Sequence, residues 1–236
     1  MMRYDELRDN LRQVRERIEK ACEEAGRSAD EVTLVAITKT FPVSDVRALT
    51  ALGVQDVGEN REQELKSKAP QCPDATWHFV GQLQSKKARS VVRYASVVHS
   101  VDRSSLVAAL SKAAVAEGRT VRCLLQVSLA SYGSAEAATG AERGGVEPSA
   151  VLELADEVAA ADGLELGGVM AVAPLGSNPD QSFAGLREVS SRLRSEHPKA
   201  DWISAGMTGD LDAAIRHGAT HVRLGRALLG TRPPLR

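Results

Sequence analysis

The sequence predicts an α/β protein: a closed (β/α)8 TIM barrel of eight parallel strands, with an extra helix before the first strand. Short runs of Val, Ile and Leu alternate along the chain with helical segments. Continuous apolar strands separated by helices are typical of a parallel sheet that is covered on both faces. Eight strand–helix units in 236 residues fit a closed barrel of roughly 250 residues better than an open sheet. The alternative is an open doubly wound sheet, but no dinucleotide fingerprint follows the first strand.

The opening segment predicts the extra helix. Its apolar residues recur at three- and four-residue spacing among charges, which is the pattern of an amphipathic helix that ends near Gly26. These residues are Leu7, Leu11, Val14, Ile18 and Cys22. Little chain remains after the eighth strand, so we expect this helix to cover the gap that the eighth helix of the barrel would otherwise fill.

The eight strands and seven intervening helices are each predicted from an apolar run or a helical pattern. The strands are predicted over 32–38, 54–58, 76–80, 96–100, 121–128, 164–173, 201–204 and 220–224. The helices are predicted over 44–52, 61–69, 85–94, 104–117, 148–161, 180–196 and 208–217. The polar stretch "ASYGSAEAATGAERGG" (130–145) predicts a long mobile loop after the fifth strand. We expect residues 1–236 to form a single domain.

Composition narrows the classes of partner and the compartment. With 30 Lys+Arg against 31 Asp+Glu, the chain gives no global reason to expect a nucleic-acid or anionic-membrane partner. Cys22, Cys72 and Cys123 have no metal-ligand spacing and leave one thiol over in any disulfide scheme, which favours a reduced compartment. The charged N-terminus has neither a secretory signal nor a membrane span. We expect a cytoplasmic protein.

Lys39 follows the first strand, in "TLVAITKTFP". In barrels of this kind the reactive groups lie at the carboxyl ends of the strands. One interpretation is a lysine whose stem lies on apolar surface while its ammonium reaches water. The other is an amine with a depressed pKa that forms an imine with a carbonyl compound. Lys39 alone does not decide between them.

The last two strands are each followed by a turn that contains glycine. In "WISAGMTGDLDAAIRHG" the strand ends at Ser204, Gly206 lies in the turn, and a helix is predicted to start at Thr208. In "HVRLGRALLG" Gly225 opens a short helix with the Arg226 N–H free. Such N–H groups bind phosphate, and barrel phosphate sites commonly form after strands seven and eight. Either turn alone is equally well explained by helix capping and close packing; the two together favour phosphate.

A phosphate site beside an amine favours pyridoxal 5′-phosphate (PLP), which carries both an aldehyde and a phosphate. Arg223 precedes Gly225 by two residues, so it is expected to project from strand eight toward the pyridine ring. A permanent cation there would oppose protonation of the ring nitrogen and weaken carbanion chemistry. The alternative is a structural arginine paired with a barrel carboxylate such as Glu59.

Weaker signals accompany the next two strands. Asn60 is predicted either to orient the ring or to cap the helix that follows strand two. His78 lies within strand three and is predicted to be a hydrogen-bonded core histidine, and Met170 in strand six is predicted to be a packing residue. No Walker or Gly-x-Ser-x-Gly pattern occurs.

These segments together resemble the pyridoxal-phosphate homeostasis protein family (the YggS or PROSC family), a single-domain relative of the alanine-racemase barrel. The resemblance rests on "LVAITKTFP", "VGENREQE", "WHFVGQLQSKK", "HSVDR", "GGVMAVAP" and "SAGMTGDLDAAIRHGATHVRLGRALLG". It implies that Lys39 is the cofactor lysine and that Arg223 faces the ring nitrogen. It implies phosphate contacts at Ser204, Gly206, Thr208, Gly225 and Arg226, a cofactor contact at Asn60, and a match of Glu59 and Asn60 to the family's glutamate–asparagine pair. Lys86 and Ala205 depart from the residues usual in the family.

The resemblance implies a monomeric PLP-binding protein that buffers the cofactor as a reversible Lys39 imine or delivers it to apo-enzymes, with no established catalysis. The alternative is a PLP-dependent racemase or decarboxylase. Two-base racemisation needs a second base opposite the lysine, and Tyr132 is the candidate that this chain offers. A third reading is a barrel that binds another phosphorylated metabolite without an imine; it would tolerate the loss of Lys39.

Overall fold

Eight parallel strands form a closed barrel in the computed structural model, which describes residues 2–132 and 144–231. The strands follow chain order around the barrel, and the eighth pairs with the first. They are β1 (Thr33–Ile37), β2 (Asp56–Glu59), β3 (Thr76–Phe79), β4 (Val97–Val101), β5 (Val121–Gln126), β6 (Leu164–Met170), β7 (Trp202–Ser204) and β8 (His221–Leu224). The predicted TIM barrel is confirmed, and the open sheet is wrong.

The helices form the outer layer of the barrel. They are α1 (Arg3–Glu24), α2 (Val43–Ala51), α3 (Glu62–Lys68), α4 (Ala88–Val92), α5 (Ser104–Glu117), α6 (Val151–Ala160), α7 (Pro179–Glu196), α8 (Leu211–Arg216) and α9 (Arg226–Leu229). The prediction of one helix over 85–94 is wrong in its first turn, because Ser85–Lys87 is a 3-10 turn. Another 3-10 turn, Pro148–Ala150, precedes α6. The predicted helix over 208–217 begins three residues late, at Leu211.

The core lies between the barrel wall and the helices, with a smaller apolar group inside the barrel. All five residues of β4 are buried, as expected of a strand covered on both faces. Inside the barrel Val97, Leu124 and Met170 pack together, so the prediction that Met170 is a packing residue is confirmed.

Helix α1 covers the junction where β8 returns to β1. Its predicted apolar face is buried, and the helix packs against α2, α8 and α9. Arg3 donates to the Asp45 carboxylate at 2.6 Å and to the Leu229 carbonyl at 2.9 Å. Arg17 donates to the carbonyl of Thr208 at 2.7 Å. The predicted role of the extra helix is therefore confirmed, and α1 also holds the segment between β7 and α8.

The predicted loop over 130–145 lies largely outside the described residues, which stop at 132 and resume at 144. Within the described part, Ala130–Tyr132 is a 3-10 turn. The Tyr132 ring lies against Gly185 of α7, where an added Cβ would come within 2.2 Å of it. Tyr132 is thus packed on the outer helix layer.

Two other expectations concern the chain as a whole. Cys22, Cys72 and Cys123 are buried and form no disulfide. Over residues 2–132 and 144–231 no helix combines the length and apolar character that a bilayer crossing requires. The single domain over 1–236, the cytoplasmic location and the monomeric state stay predictions.

Candidate functional site

The carboxyl ends of β1, β7 and β8 meet at one edge of the barrel mouth. Ala36 of β1 pairs with Leu224 of β8, and a Cβ on Gly225 would lie 3.3 Å from the Ile37 carbonyl oxygen. The Arg223 N–H donates to the Gly206 carbonyl at 2.9 Å. The turn after β7 and the turn after β8 are therefore neighbours, and both lie beside the strand that leads to Lys39.

Lys39 is half-buried two residues beyond the end of β1. The next residue, Thr40, has a φ of 70°, which is rare for a β-branched side chain and strains the backbone. The Thr40 N–H donates to a Glu64 carboxylate oxygen at 2.7 Å, and the Thr38 carbonyl accepts from the Lys68 ammonium at 2.9 Å. Both chain neighbours of Lys39 are thus held by α3, which restricts where the lysine can project.

The lysine that is truly buried is Lys68, not Lys39. Lys68 is 7% exposed and donates to the carboxylates of Glu59 at 2.7 Å and Glu64 at 3.1 Å. Glu59 is fully buried and also accepts from the Thr38 hydroxyl at 2.6 Å. Burying one cation is tolerable here because three oxygens receive its protons.

The two carboxylates of this cluster differ in environment. Burial raises the pKa of Glu59 to about 7, against the opposing pull of Lys68 and the Thr38 hydroxyl. Burial alone would also raise the pKa of Glu64, but hydrogen bonds from the Thr40 N–H and Lys68 lower it overall. The second Glu59 oxygen has no partner among the described residues. A polar atom free to carry or accept a proton therefore lies one strand away from Lys39.

The turns after β7 and β8 present a set of backbone donors. The N–H groups of five residues in these turns, Gly206, Thr208, Gly209, Gly225 and Arg226, donate to no acceptor within the described part of the chain. Unpaired backbone donors cost free energy unless water or a ligand accepts from them, and clustered N–H groups are suited to an anion. The five donors include four of the five predicted phosphate contacts.

Two of the predicted phosphate contacts differ from expectation in their local structure. Thr208 lies in a turn three residues before α8, so it does not start a helix. The Ser204 hydroxyl is fully buried and accepts from Arg223 at 2.7 Å, and it also pairs with His99 at 3.0 Å. Ser204 is therefore tied to Arg223, and its predicted contact with phosphate stays a prediction.

We expect Gly206→Ala to lower the free energy of unfolding by about 1–3 kcal/mol, the cost of a strained backbone. Gly206 has a φ of +90°, and its added Cβ would lie 2.7 Å from the Ala214 Cβ. Urea unfolding followed by circular dichroism measures the change. Gly209→Ala is the matched control in the same turn, since its Cβ would meet nothing within 4 Å. Equal losses in the two variants would contradict the conformational explanation.

Arg223 is buried at the end of β8. Its guanidinium donates to Ser204 and, at 2.9 Å, to the carbonyl of Ala171. Burial lowers the pKa of Arg223 to about 10, so the side chain remains a cation near neutral pH. The alternative pairing with Glu59 is wrong, because the bonds of Glu59 in the described structure go to Thr38 and Lys68.

Asn60 lies in the turn after β2, where it lines a cavity of about 190 Å³. Phe79, Gln82 and Lys87 are among the other residues of this cavity. Helix α3 has no side-chain cap, so the predicted capping role of Asn60 is wrong. Its role toward a ring stays a prediction.

The predicted core role of His78 is confirmed. The side chain is fully buried, with one ring nitrogen 2.9 Å from an Asp56 oxygen and the other 2.8 Å from His99. No group of His, Cys, Asp and Glu within the described ranges has an arrangement that would hold a metal ion. The candidate groups at this end of the barrel are the lysine that follows β1, the N–H groups of the two turns and the Arg223 guanidinium. This set fits PLP, whose aldehyde, phosphate and pyridine nitrogen need these three kinds of partner.

Sequence reasoning missed Lys68 and the bonds between Asp56, His78 and His99. Leu65 and Lys68 lie on one buried face of α3, and their three-residue spacing is the only local signal of the buried lysine. Nothing local indicates which side chains meet inside the barrel.

Known proteins are similar to this chain in fold and in sequence. The alanine racemase N-terminal domain model matches residues 3–233. The pyridoxal phosphate homeostasis protein of Mycobacterium tuberculosis H37Rv is 41% identical over 251 residues, which cover 98% of this chain and 94% of that protein. The protein of the same name from Corynebacterium glutamicum is 42% identical and covers 92% and 98%. The structure of PipY from Synechococcus elongatus PCC7942, with PLP bound, has a TM-score of 0.80 at 29% identity and covers 95% and 100%.

Proposed function

Because the chain belongs to the pyridoxal phosphate homeostasis proteins of the alanine racemase N-terminal domain family, we propose that it binds PLP and buffers or delivers it. The observation that carries the proposal is the meeting of three partners at one mouth. They are the strand end with Lys39, the backbone donors of the β7 and β8 turns, and the buried cation Arg223. When bound, PLP supplies an aldehyde that condenses reversibly with a lysine amine.

Each residue has a distinct task in this proposal. Lys39 provides the amine, and α3 limits its position through the bonds to Thr38 and Thr40. The N–H groups of Gly206, Thr208, Gly225 and Arg226 bind the phosphate, because five free donors are gathered there. Their position next to β1 keeps the two attachment points of one small molecule within the same mouth.

Arg223 and Asn60 act on the ring. The Arg223 guanidinium faces the pyridine nitrogen and, as a cation, disfavours a second positive charge there. Asn60 contacts the ring from the β2 side. An unprotonated ring is a weak electron sink, which favours holding PLP over carbanion chemistry.

Carriage is better supported than racemisation. A second base must face Lys39 across the ring, and the candidate, Tyr132, packs its ring against Gly185 of the outer helix α7. The relatives from Mycobacterium tuberculosis and Corynebacterium glutamicum are named as homeostasis proteins, which is compatible with a role that does not require turnover. Recipient apo-enzymes follow from this reading as partners.

A titration of the wild-type protein with PLP, read by visible absorption, tests the proposal. We expect a band from the lysine adduct that disappears on borohydride reduction, with the reduced label found on Lys39 by peptide mass spectrometry. The loaded protein should then activate an apo PLP enzyme and racemise no member of an amino-acid panel. A missing band would overturn PLP binding. Stereospecific racemisation lost in Tyr132→Phe would overturn carriage in favour of the enzyme.

A further inference from the structure

A line of polar side chains crosses the interior of the barrel. Interiors of such barrels are usually filled with branched apolar residues, yet here five strands each contribute one polar residue to a continuous hydrogen-bond chain. Its members, in order, are Asp56, His78, His99, Ser204 and Arg223. The four successive distances are 2.9, 2.8, 3.0 and 2.7 Å. The chain begins at the first residue of β2 and ends beside the mouth.

The proton positions along this chain follow from its two ends. The Asp56 carboxylate only accepts, so it requires a proton on Nε2 of His78. In a neutral imidazole Nδ1 then accepts, which places a proton on Nε2 of His99. The Nδ1 of His99 accepts in turn from the Ser204 hydroxyl. The Ser204 oxygen is left to accept from Arg223, which can only donate.

If every donor and acceptor between His78 and Ser204 were exchanged, fewer of the buried polar groups would have hydrogen-bond partners. The exchange would aim N–H donors of both His99 and Arg223 at the Ser204 oxygen. The Ser204 proton would then have no acceptor among the residues described here. It would also require a charged imidazole in a barrel that already holds the Arg223 cation. Burial, with neighbouring His78 and Arg223, holds the pKa of His99 well below its usual value.

This hydrogen-bond chain therefore orients the Arg223 side chain and does not transfer protons to it. A guanidinium at one end has no lone pair with which to take a proton. The hydrogen-bond chain instead gives the Arg223 guanidinium an acceptor in a fixed position, the Ser204 oxygen. Each hydrogen bond orients the next side chain so that its acceptor atom points toward Arg223. The Asp56 side chain is 28% exposed. It is the one carboxylate among the five residues of the hydrogen-bond chain and forms its anionic end.

We propose that Asp56, His78 and His99 are positioning residues that hold Arg223, through Ser204, in one orientation at the pyridine nitrogen of PLP. The proposal rests on the proposed function, in which Arg223 faces that nitrogen. It adds that the protonation state of the pyridine nitrogen depends on the Asp56 carboxylate at the opposite end of the barrel.

Nitrogen NMR of the histidines tests the chain in the wild-type protein, without any substitution. We expect His78 and His99 to be neutral and both protonated on Nε2. A proton on Nδ1 of His99 would overturn the proposal, because the Ser204 oxygen would then receive two donors.

His99→Phe tests the effect on the cofactor, and His221→Phe is the matched control. His221 is also buried and adjoins His78, with ring centroids 6.4 Å apart, but it bonds to Thr220 and lies outside the chain. With PLP labelled by nitrogen-15 in the ring, we expect the ring-nitrogen signal to shift in His99→Phe but not in the control. PLP affinity should fall about ten-fold, the effect of one unsatisfied buried donor.

Asp56→Leu should reproduce the shift, whereas Asp56→Asn should retain most of the wild-type signal, because an amide oxygen can still accept from His78. Failure of wild type to form the Lys39 adduct would reject the proposed function itself. An adduct in wild type, together with an unshifted ring signal in folded His99→Phe, would reject the positioning chain alone.

Discussion

Replacing Lys39 with alanine is expected to abolish the visible band of bound PLP and all borohydride-stable labelling of the protein. The reason is chemical, because the variant has no amine at the mouth to condense with the aldehyde. The five backbone donors of the β7 and β8 turns remain, so weak binding through the phosphate should persist. Absorption titration, and mass spectrometry after reduction, measure the two parts separately.

Pyridoxine 5′-phosphate, which has an alcohol in place of the aldehyde, provides the control ligand. It should bind wild type and Lys39→Ala with similar affinity, since it depends on the phosphate and ring contacts alone. Lys86→Ala provides the control protein, because Lys86 is exposed in the turn after β3 and should leave the band unchanged. Labelling that survives in Lys39→Ala would assign the covalent attachment to another lysine, and the proposed role of Lys39 would be wrong.

Lys68→Met is expected to destabilise the protein by about 3–5 kcal/mol, the range for removing one partner of a buried ion pair. The substitution leaves the fully buried carboxylate of Glu59 without its cation and removes the donor to the Thr38 carbonyl. Burial already raises the pKa of Glu59 to about 7, and loss of the ammonium should raise it further. Urea unfolding at pH 7 measures the loss.

Lys66→Met is the matched control, because Lys66 is exposed on the same helix two residues away. The double variant Lys68→Met/Glu59→Gln should recover part of the lost stability, since an amide is neutral without taking up a proton, whereas Glu59 in Lys68→Met must take up a proton at pH 7 to be buried neutral. Equal unfolding free energies for Lys66→Met and Lys68→Met would show that the buried pair contributes nothing to folding. A double variant less stable than Lys68→Met would contradict the explanation that the cost lies in burying Glu59 without its cation.

Local patterns in the sequence were sufficient to place the strands and the glycine turns. The run before Lys39 is apolar and β-branched over a short length, and Gly206 and Gly225 each follow such a run. These are properties of neighbouring residues, and strand formation depends on them directly. The order of parallel strands then brings the lysine and the two turns to the same edge.

The contacts behind the mouth depend on residues far apart in the sequence. The local pattern predicts Lys68 only as part of a helix, and it leaves Arg223 as one alternative partner of Glu59. Which of the two cations Glu59 meets depends on how α3 packs over β1 and β2, a tertiary feature with no local signature. The bond between His99 and Ser204, 105 residues apart, is likewise decided by closure of the barrel.

The pairing of β1 with β8 has a consequence for synthesis. The strand that leads to Lys39 leaves the ribosome well before β8, the strand that pairs with it. Closing so long a loop is slow, and parallel pairing of distant strands gives a high contact order. Nascent chains that end before β7 would therefore carry Lys39 without the turns that are proposed to bind the phosphate. Binding of PLP should therefore begin only once β8 has paired with β1 and the barrel has closed.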